Sequence, residues 1–155
     1  MTRDAAIARA TEAFDSGAFL ALLREAVAMP TESQAPGQEA ALRAYLDAFI
    51  APLVARLGFE TPEIFPNPDG VHGPFLIAER HEGMGLPTVL IYGHGDTVRG
   101  YPEQWREGLG PWEIVVEGDR WYGRGTADNK GQHVLNLAAL EQVIAAREGH
   151  LGFNV

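Results

Sequence analysis

The residues in this chain best suited to chemistry are one imidazole and two carboxylates, all set among glycines. His94 and Asp96 occur in Gly93-His94-Gly95-Asp96, and Asp128 in Gly123-Arg124-Gly125-Thr126-Ala127-Asp128-Asn129-Lys130-Gly131. Side chains alternate along extended backbone, so His94 and Asp96 point to the same face if they end a strand. Imidazole nitrogen and carboxylate oxygen, without sulfur, are the donors of hydrolytic zinc sites. A carboxylate can also bridge two ions lying about 3.5–4 Å apart. Taken alone, Asp128 has a plainer reading as the N-cap of a following helix, worth about 1 kcal/mol. Taken together, the three residues point to a metal site.

The elements that must position them are legible in outline. Val89-Leu90-Ile91-Tyr92 is a β-branched, apolar run of the kind buried on both faces of a sheet. It delivers His94 and Asp96 to its C-terminal end, where open α/β sheets place their ligands. A helix over 130–147 follows Asp128, with Val134, Leu137, Ala138, Val143 and Ile144 at helical spacing, and Gly149 stops it. Upstream, residues 2–14 read as a weakly apolar helix. A second helix carries Phe19, Leu22, Leu23, Ala26 and Val27, with Ser16 as its cap and Pro30 beyond its end. Leu42, Tyr45, Leu46, Phe49, Ile50, Leu53, Val54 and Leu57 stripe a longer helix, kinked or divided at Pro52 and capped by Gly58. Residues 59–65, with Pro62 pointing to an edge position, and 75–79 read as strands. Residues 112–117 and 120–122 bracket Gly118-Asp119 as a hairpin. Residues 151–155 read as a further strand, parallel to the 89–92 run through a right-handed crossover. Helices, then strands, then strand–helix–strand imply an α/β fold with a mixed sheet flanked by helices.

Composition narrows the class. The 155 residues suit one ordinary domain with a sizeable core, and a formal charge of -9 argues against a nucleic-acid surface. Cysteine is absent, which excludes a disulfide framework and thiolate metal sites. The N-terminal residues carry charges throughout and lack the apolar core of a signal peptide, and no apolar run has the roughly 20 residues of a membrane span. A cytoplasmic protein without nucleic-acid or membrane partners is expected. Lys130 is the only lysine.

Competing motifs fail on inspection. In Gly93 to Val98 the third glycine of a dinucleotide fingerprint is replaced by Val98, and Gly100 and Pro102 oppose a following helix. Residues 125–130 lack the glycine before lysine, and the hydroxyl residue after it, of a phosphate loop. There is no zincin His-Glu-x-x-His and no nucleophile elbow. His72 and His81 read as surface imidazoles, and His150 as a residue at the negative end of a helix dipole. His133, on the first turn of its helix, reads as packed or supporting rather than ligating.

The two glycine-rich motifs in this order, with Trp105 and Pro111-Trp112 between them, resemble the zinc metallopeptidase family that includes acetylornithine deacetylase, succinyl-diaminopimelate desuccinylase, aminoacylase and carnosine dipeptidase. The resemblance implies the N-terminal portion of a zinc-peptidase-like catalytic domain. Residues 1–155 would be part of that domain, its remainder and a lid-like dimerisation domain lying outside. It implies that His94 binds one metal, that Asp128 bridges two, and that Asp96 acts catalytically by orienting the His94 ring. It also implies a cis peptide bond between Asp128 and Asn129. The implied cofactor is zinc, two ions in the whole site, with cobalt or manganese as substitutes. The implied reaction is hydrolysis of an amide bond in an N-acyl amino acid or small peptide. In this family the general base and a further ligand come from a Glu-Glu pair after the strand that begins here at Leu151, so the 155 residues alone are expected to be inactive. Uncovered apolar surface around Phe153 and Val155 is expected to make them self-associate. The alternative is a non-catalytic module that binds a metal or a partner through the same glycine-rich face.

Overall fold

The computed structural model describes residues 3–155. Thr2, the expected start of the first helix, lies outside them. Helix α1 spans Arg3–Asp15 and α2 spans Ala18–Val27. Their junction differs from expectation. Gly17, at φ 82, takes the N-cap position with no side-chain bond, and Ser16 Oγ instead donates back to the Ala13 carbonyl at 3.4 Å. The left-handed turn that redirects the chain suits glycine, and that backbone need overrides the hydroxyl's capping preference.

The long helix is divided as Pro52 requires. Helix α3 spans Glu39–Tyr45, a π-helical stretch follows over Leu46–Ile50, and α4 spans Ala51–Arg56. A proline inside a helix has no N–H to give and crowds the carbonyl four residues back, and the widened turn absorbs this. Gly58, at φ 76, ends α4, with its N–H and that of Phe59 returning to the Ala55 and Val54 carbonyls. Tyr45, Phe49, Leu53, Val54 and Leu57 are buried, as the stripe implied. They pack with Leu23, Ala26 and Val27 of α2 and with Val134, Leu137 and Leu140 of the last helix, α5 (Lys130–Ala146), in one core.

The described residues form two antiparallel hairpins. Strand β1 (Glu63–Phe65) pairs with β2 (Phe75–Ile77), and β3 (Val115–Glu117) pairs with β4 (Arg120–Tyr122) across Gly118-Asp119. Among the described residues parallel pairing is confined to isolated bridges, Glu32 with Thr97 and Thr88 with Asn154. The second bridge joins the segment after α5 to the start of the 89–92 run, parallel as the crossover rule demands. Leu151 is fully buried, and Val155 exchanges backbone hydrogen bonds of 2.9 and 3.0 Å with Arg80 on its other side. The structure is thus α/β, with helices packed against small antiparallel and parallel pairings.

The 89–92 run departs from expectation. It is extended but forms no ladder, and Leu90 is 93% exposed and Tyr92 76%. Only its first residues are paired, through Val89 N–H to the Asn154 carbonyl, and beyond that point no described strand lies beside it. Apolar composition marks a segment built for burial but does not supply the neighbour. Phe153 and Val155 are half-buried against the core, so the uncovered apolar surface lies at Val89, Leu90 and Tyr92 rather than at the chain's last residues.

Candidate metal centre

Two loops converge to build the site. The first, residues 93–97, is held from below by Thr31. Thr31 Oγ1 donates to the Gly95 carbonyl at 2.5 Å, and Thr97 N–H donates to the Thr31 carbonyl at 2.8 Å. The second loop, residues 123–129, leads into α5. It closes on itself through Gly131 N–H to the Gly125 carbonyl at 3.0 Å, an approach so tight that a Cβ on Gly131 would stand 1.9 Å from the Thr126 oxygen. Lys130, fully buried, anchors this loop to α2: its ammonium donates to the Ala26 and Met29 carbonyls at 2.9 and 2.6 Å and lies 5.0 Å from the centre of the Tyr45 ring. Burial lowers its pKa to about 8.

These loops bring the three chemistry-bearing side chains together. His94 Nε2 lies 3.2 Å from Asp128 Oδ1, and His94 Nδ1 lies 3.0 Å from Asp96 Oδ1. With Nδ1–H donating to the Asp96 carboxylate, Nε2 is the ring nitrogen that faces Asp128. The N-cap reading of Asp128 does not hold. Asn129 occupies that position, no side-chain cap bond forms, and the Asp128 side chain is 82% exposed. The peptide bond between Asp128 and Asn129 is cis, as the resemblance implied.

The donor set fits a zinc-type ion. Ligands bonded at 2.0–2.1 Å in tetrahedral geometry stand about 3.3 Å apart, close to the observed separation of Nε2 and Oδ1. Among the described residues no group of three or more His, Cys, Asp or Glu side chains is placed to hold an ion. The arrangement thus offers two ligands with a carboxylate behind one of them.

In the layer beneath, His133 is packed and supporting as expected, but sequence reasoning missed its partners Tyr45 and Asn129. Tyr45 was legible only as one apolar position in a stripe, yet its hydroxyl lies 2.6 Å from His133 Nε2, and His133 Nδ1 lies 3.2 Å from Asn129 Oδ1. Asn129 and His133, four apart at a helix start, were the available signal. Burial keeps the Tyr45 phenol protonated far above its ordinary range and lowers His133 to about 4, so the ring is neutral near pH 7. The remaining histidines are peripheral: His72 is exposed and bonded to Asp69, and His150 lies 3.4 Å from Glu82. A groove of about 700 Å³ adjoins the site, lined by apolar side chains of the α3–α4 run, by β2 and by residues 89–96.

The α/β scaffold thus presents a histidine and an aspartate side by side where two glycine-rich loops converge. Residues 90–154 match the model of peptidase family M20/M25/M40. It is 33% identical over 132 residues to an acetylornithine deacetylase of Yersinia pseudotuberculosis, covering 83% of this chain and 33% of that protein. It is 39% identical over 93 residues to a succinyl-diaminopimelate desuccinylase of Gluconobacter oxydans, covering 60% of this chain and 23% of that protein. Human carnosine dipeptidase 1 has the same fold over 97% of this chain and 32% of its own, with a TM-score of 0.83 at 24% identity. The chain thus spans a third or less of the proteins it matches.

Proposed function

We propose that this chain supplies one side of a dinuclear zinc centre in a hydrolase that cleaves an amide bond of an N-acyl amino acid or small peptide. The observation that carries the reading is the 3.2 Å approach of His94 Nε2 to Asp128 Oδ1, with Asp96 on the far nitrogen. His94 would hold one ion, Asp128 would bridge two, and Asp96 would fix the His94 tautomer and raise its basicity. Zinc held by these residues would supply a water of pKa near 7 and polarisation of a carbonyl. The similarity to an acetylornithine deacetylase and a succinyl-diaminopimelate desuccinylase supports the choice of amide substrates.

In this reading the 155 residues are part of a catalytic domain. The further ligands, the general base and a lid-like dimerisation domain belong to other segments of the whole enzyme. A cytoplasmic location belongs to the same reading. No described helix is long and apolar enough to cross a membrane.

Zinc titration followed on the His94 ring and Asp128 carboxylate signals tests the proposal. Weak, saturable binding that is lost in both His94→Ala and Asp128→Ala is the expected result. Binding unaffected by either substitution would remove these residues from the centre. Hydrolysis of N-acetyl amino acids by the 155-residue chain is expected to fall short of a complete enzyme by at least the roughly 10²–10⁴ that a general base contributes.

A further inference from the structure

The glycines on either side of His94 are explained by what lies against them. A Cβ on Gly93 would stand 2.4 Å from the His133 Cβ, and a Cβ on Gly95 would stand 2.3 Å from the Tyr45 ring. Tyr45 and His133 are therefore pressed against the backbone on both sides of His94, and they are bonded to each other at 2.6 Å. From this geometry we infer that Tyr45, His133 and Asn129 form a seat that fixes the His94 peptide, acting as positioning residues for the metal ligand. This rests on the proposed role of His94 as a ligand.

The donors and acceptors can be assigned from their partners. The Asn129 side-chain NH2 donates to Gln132 Oε1 at 2.7 Å, so Asn129 Oδ1 is the acceptor of that amide. It accepts the His94 backbone N–H at 3.1 Å and faces His133 Nδ1 at 3.2 Å. His133 Nδ1 must then carry the proton. Its Nε2 is left as an acceptor, and the Tyr45 hydroxyl donates to it. One chain of bonds runs from Tyr45 through His133 and Asn129 to the main chain of His94, with His133 only 7% exposed. Ligand residues are held by such supporting shells, whose loss typically costs 10–100-fold in metal affinity.

The test is NMR of the whole 155-residue chain labelled with ¹⁵N, with zinc ion as the probe. The His133 ring is expected in the single tautomer protonated at Nδ1. Asn129→Leu, which keeps the volume and removes the acceptor, is expected to speed exchange of the His94 amide and weaken zinc binding, each by roughly tenfold. Asn129→Asp restores the acceptor and is expected to recover both. Tyr45→Phe keeps the ring beside Gly95 and removes only the hydroxyl, and should shift the His133 ring and His94 amide signals while leaving those of α1 in place. A His133 ring protonated at Nε2, an Asn129→Leu chain matching the parent in both readouts, or a Tyr45→Phe chain with unchanged His94 signals would overturn the inference. If the tautomer and exchange results appear but zinc leaves His94 and Asp128 unmoved, the metal reading fails and the seat stands.

Discussion

His133 and Lys130 are ionisable groups held where their charged forms are disfavoured, and each leaves a distinct mark on stability against pH. For His133, the folded pKa of about 4 lies below the ordinary 6.5. Between these values the unfolded chain binds more protons than the folded one, so stability is lost as pH falls from 6.5 to about 4. The full effect is roughly 3 kcal/mol. His133→Gln is expected to flatten that part of the curve, measured by urea unfolding at stepped pH. An unchanged slope would mean the ring is not held neutral. Lys130 has a folded pKa of about 8 against 10.5, so its destabilising contribution is complete below about 8 and is relieved as pH rises to 10.5. Lys130→Met should abolish that rise. It also strands the Ala26 and Met29 carbonyls, a loss of about 1–3 kcal/mol near pH 7. Thermal unfolding of the variant at pH 7 and pH 10 separates the two effects.

At the scale of elements, the glycines divide into those the packing demands and those it does not. Gly95→Ala would drive a Cβ into the Tyr45 ring at 2.3 Å, and overpacking of this kind costs about 1–3 kcal/mol. Gly110 has open space around its would-be Cβ and no left-handed φ, so Gly110→Ala is expected within about 0.5 kcal/mol of the parent. Equal losses in the two variants, by denaturant midpoint, would show that the Tyr45 contact does not constrain the loop. The core that seats these elements is continuous from α2 to α5. Leu23, 1% exposed, is its α2 anchor, and Leu23→Ala should cost about 2–5 kcal/mol.

For the whole molecule, the uncovered run Val89, Leu90 and Tyr92 is an exposed apolar segment next to the candidate site. Its side chains meet solvent and its backbone beyond Val89 has no described strand beside it, a combination that invites pairing with another chain. We expect the 155-residue chain by itself to self-associate through this face. Sedimentation at micromolar concentration should show species above the monomer, reduced by Leu90→Lys. A monodisperse monomer would show that the face is tolerated in water and would favour the binding-module reading.

What the sequence determined by itself was local. Periodicity located the helices and the hairpin at Gly118-Asp119, because apolar spacing and turn chemistry act within a few residues. It also singled out His94, Asp96 and Asp128, since few residue types can serve as oxygen and nitrogen donors and these lie among glycines. Only the tertiary structure decided which residues meet. The approach of His94 to Asp128 spans 34 positions, and that of Tyr45 to His133 spans 88. No periodicity reports such distances. The same cause explains the misjudged burial of the 89–92 run: burial is a property of the neighbours a segment finds, and its own composition records only that it is suited to have them.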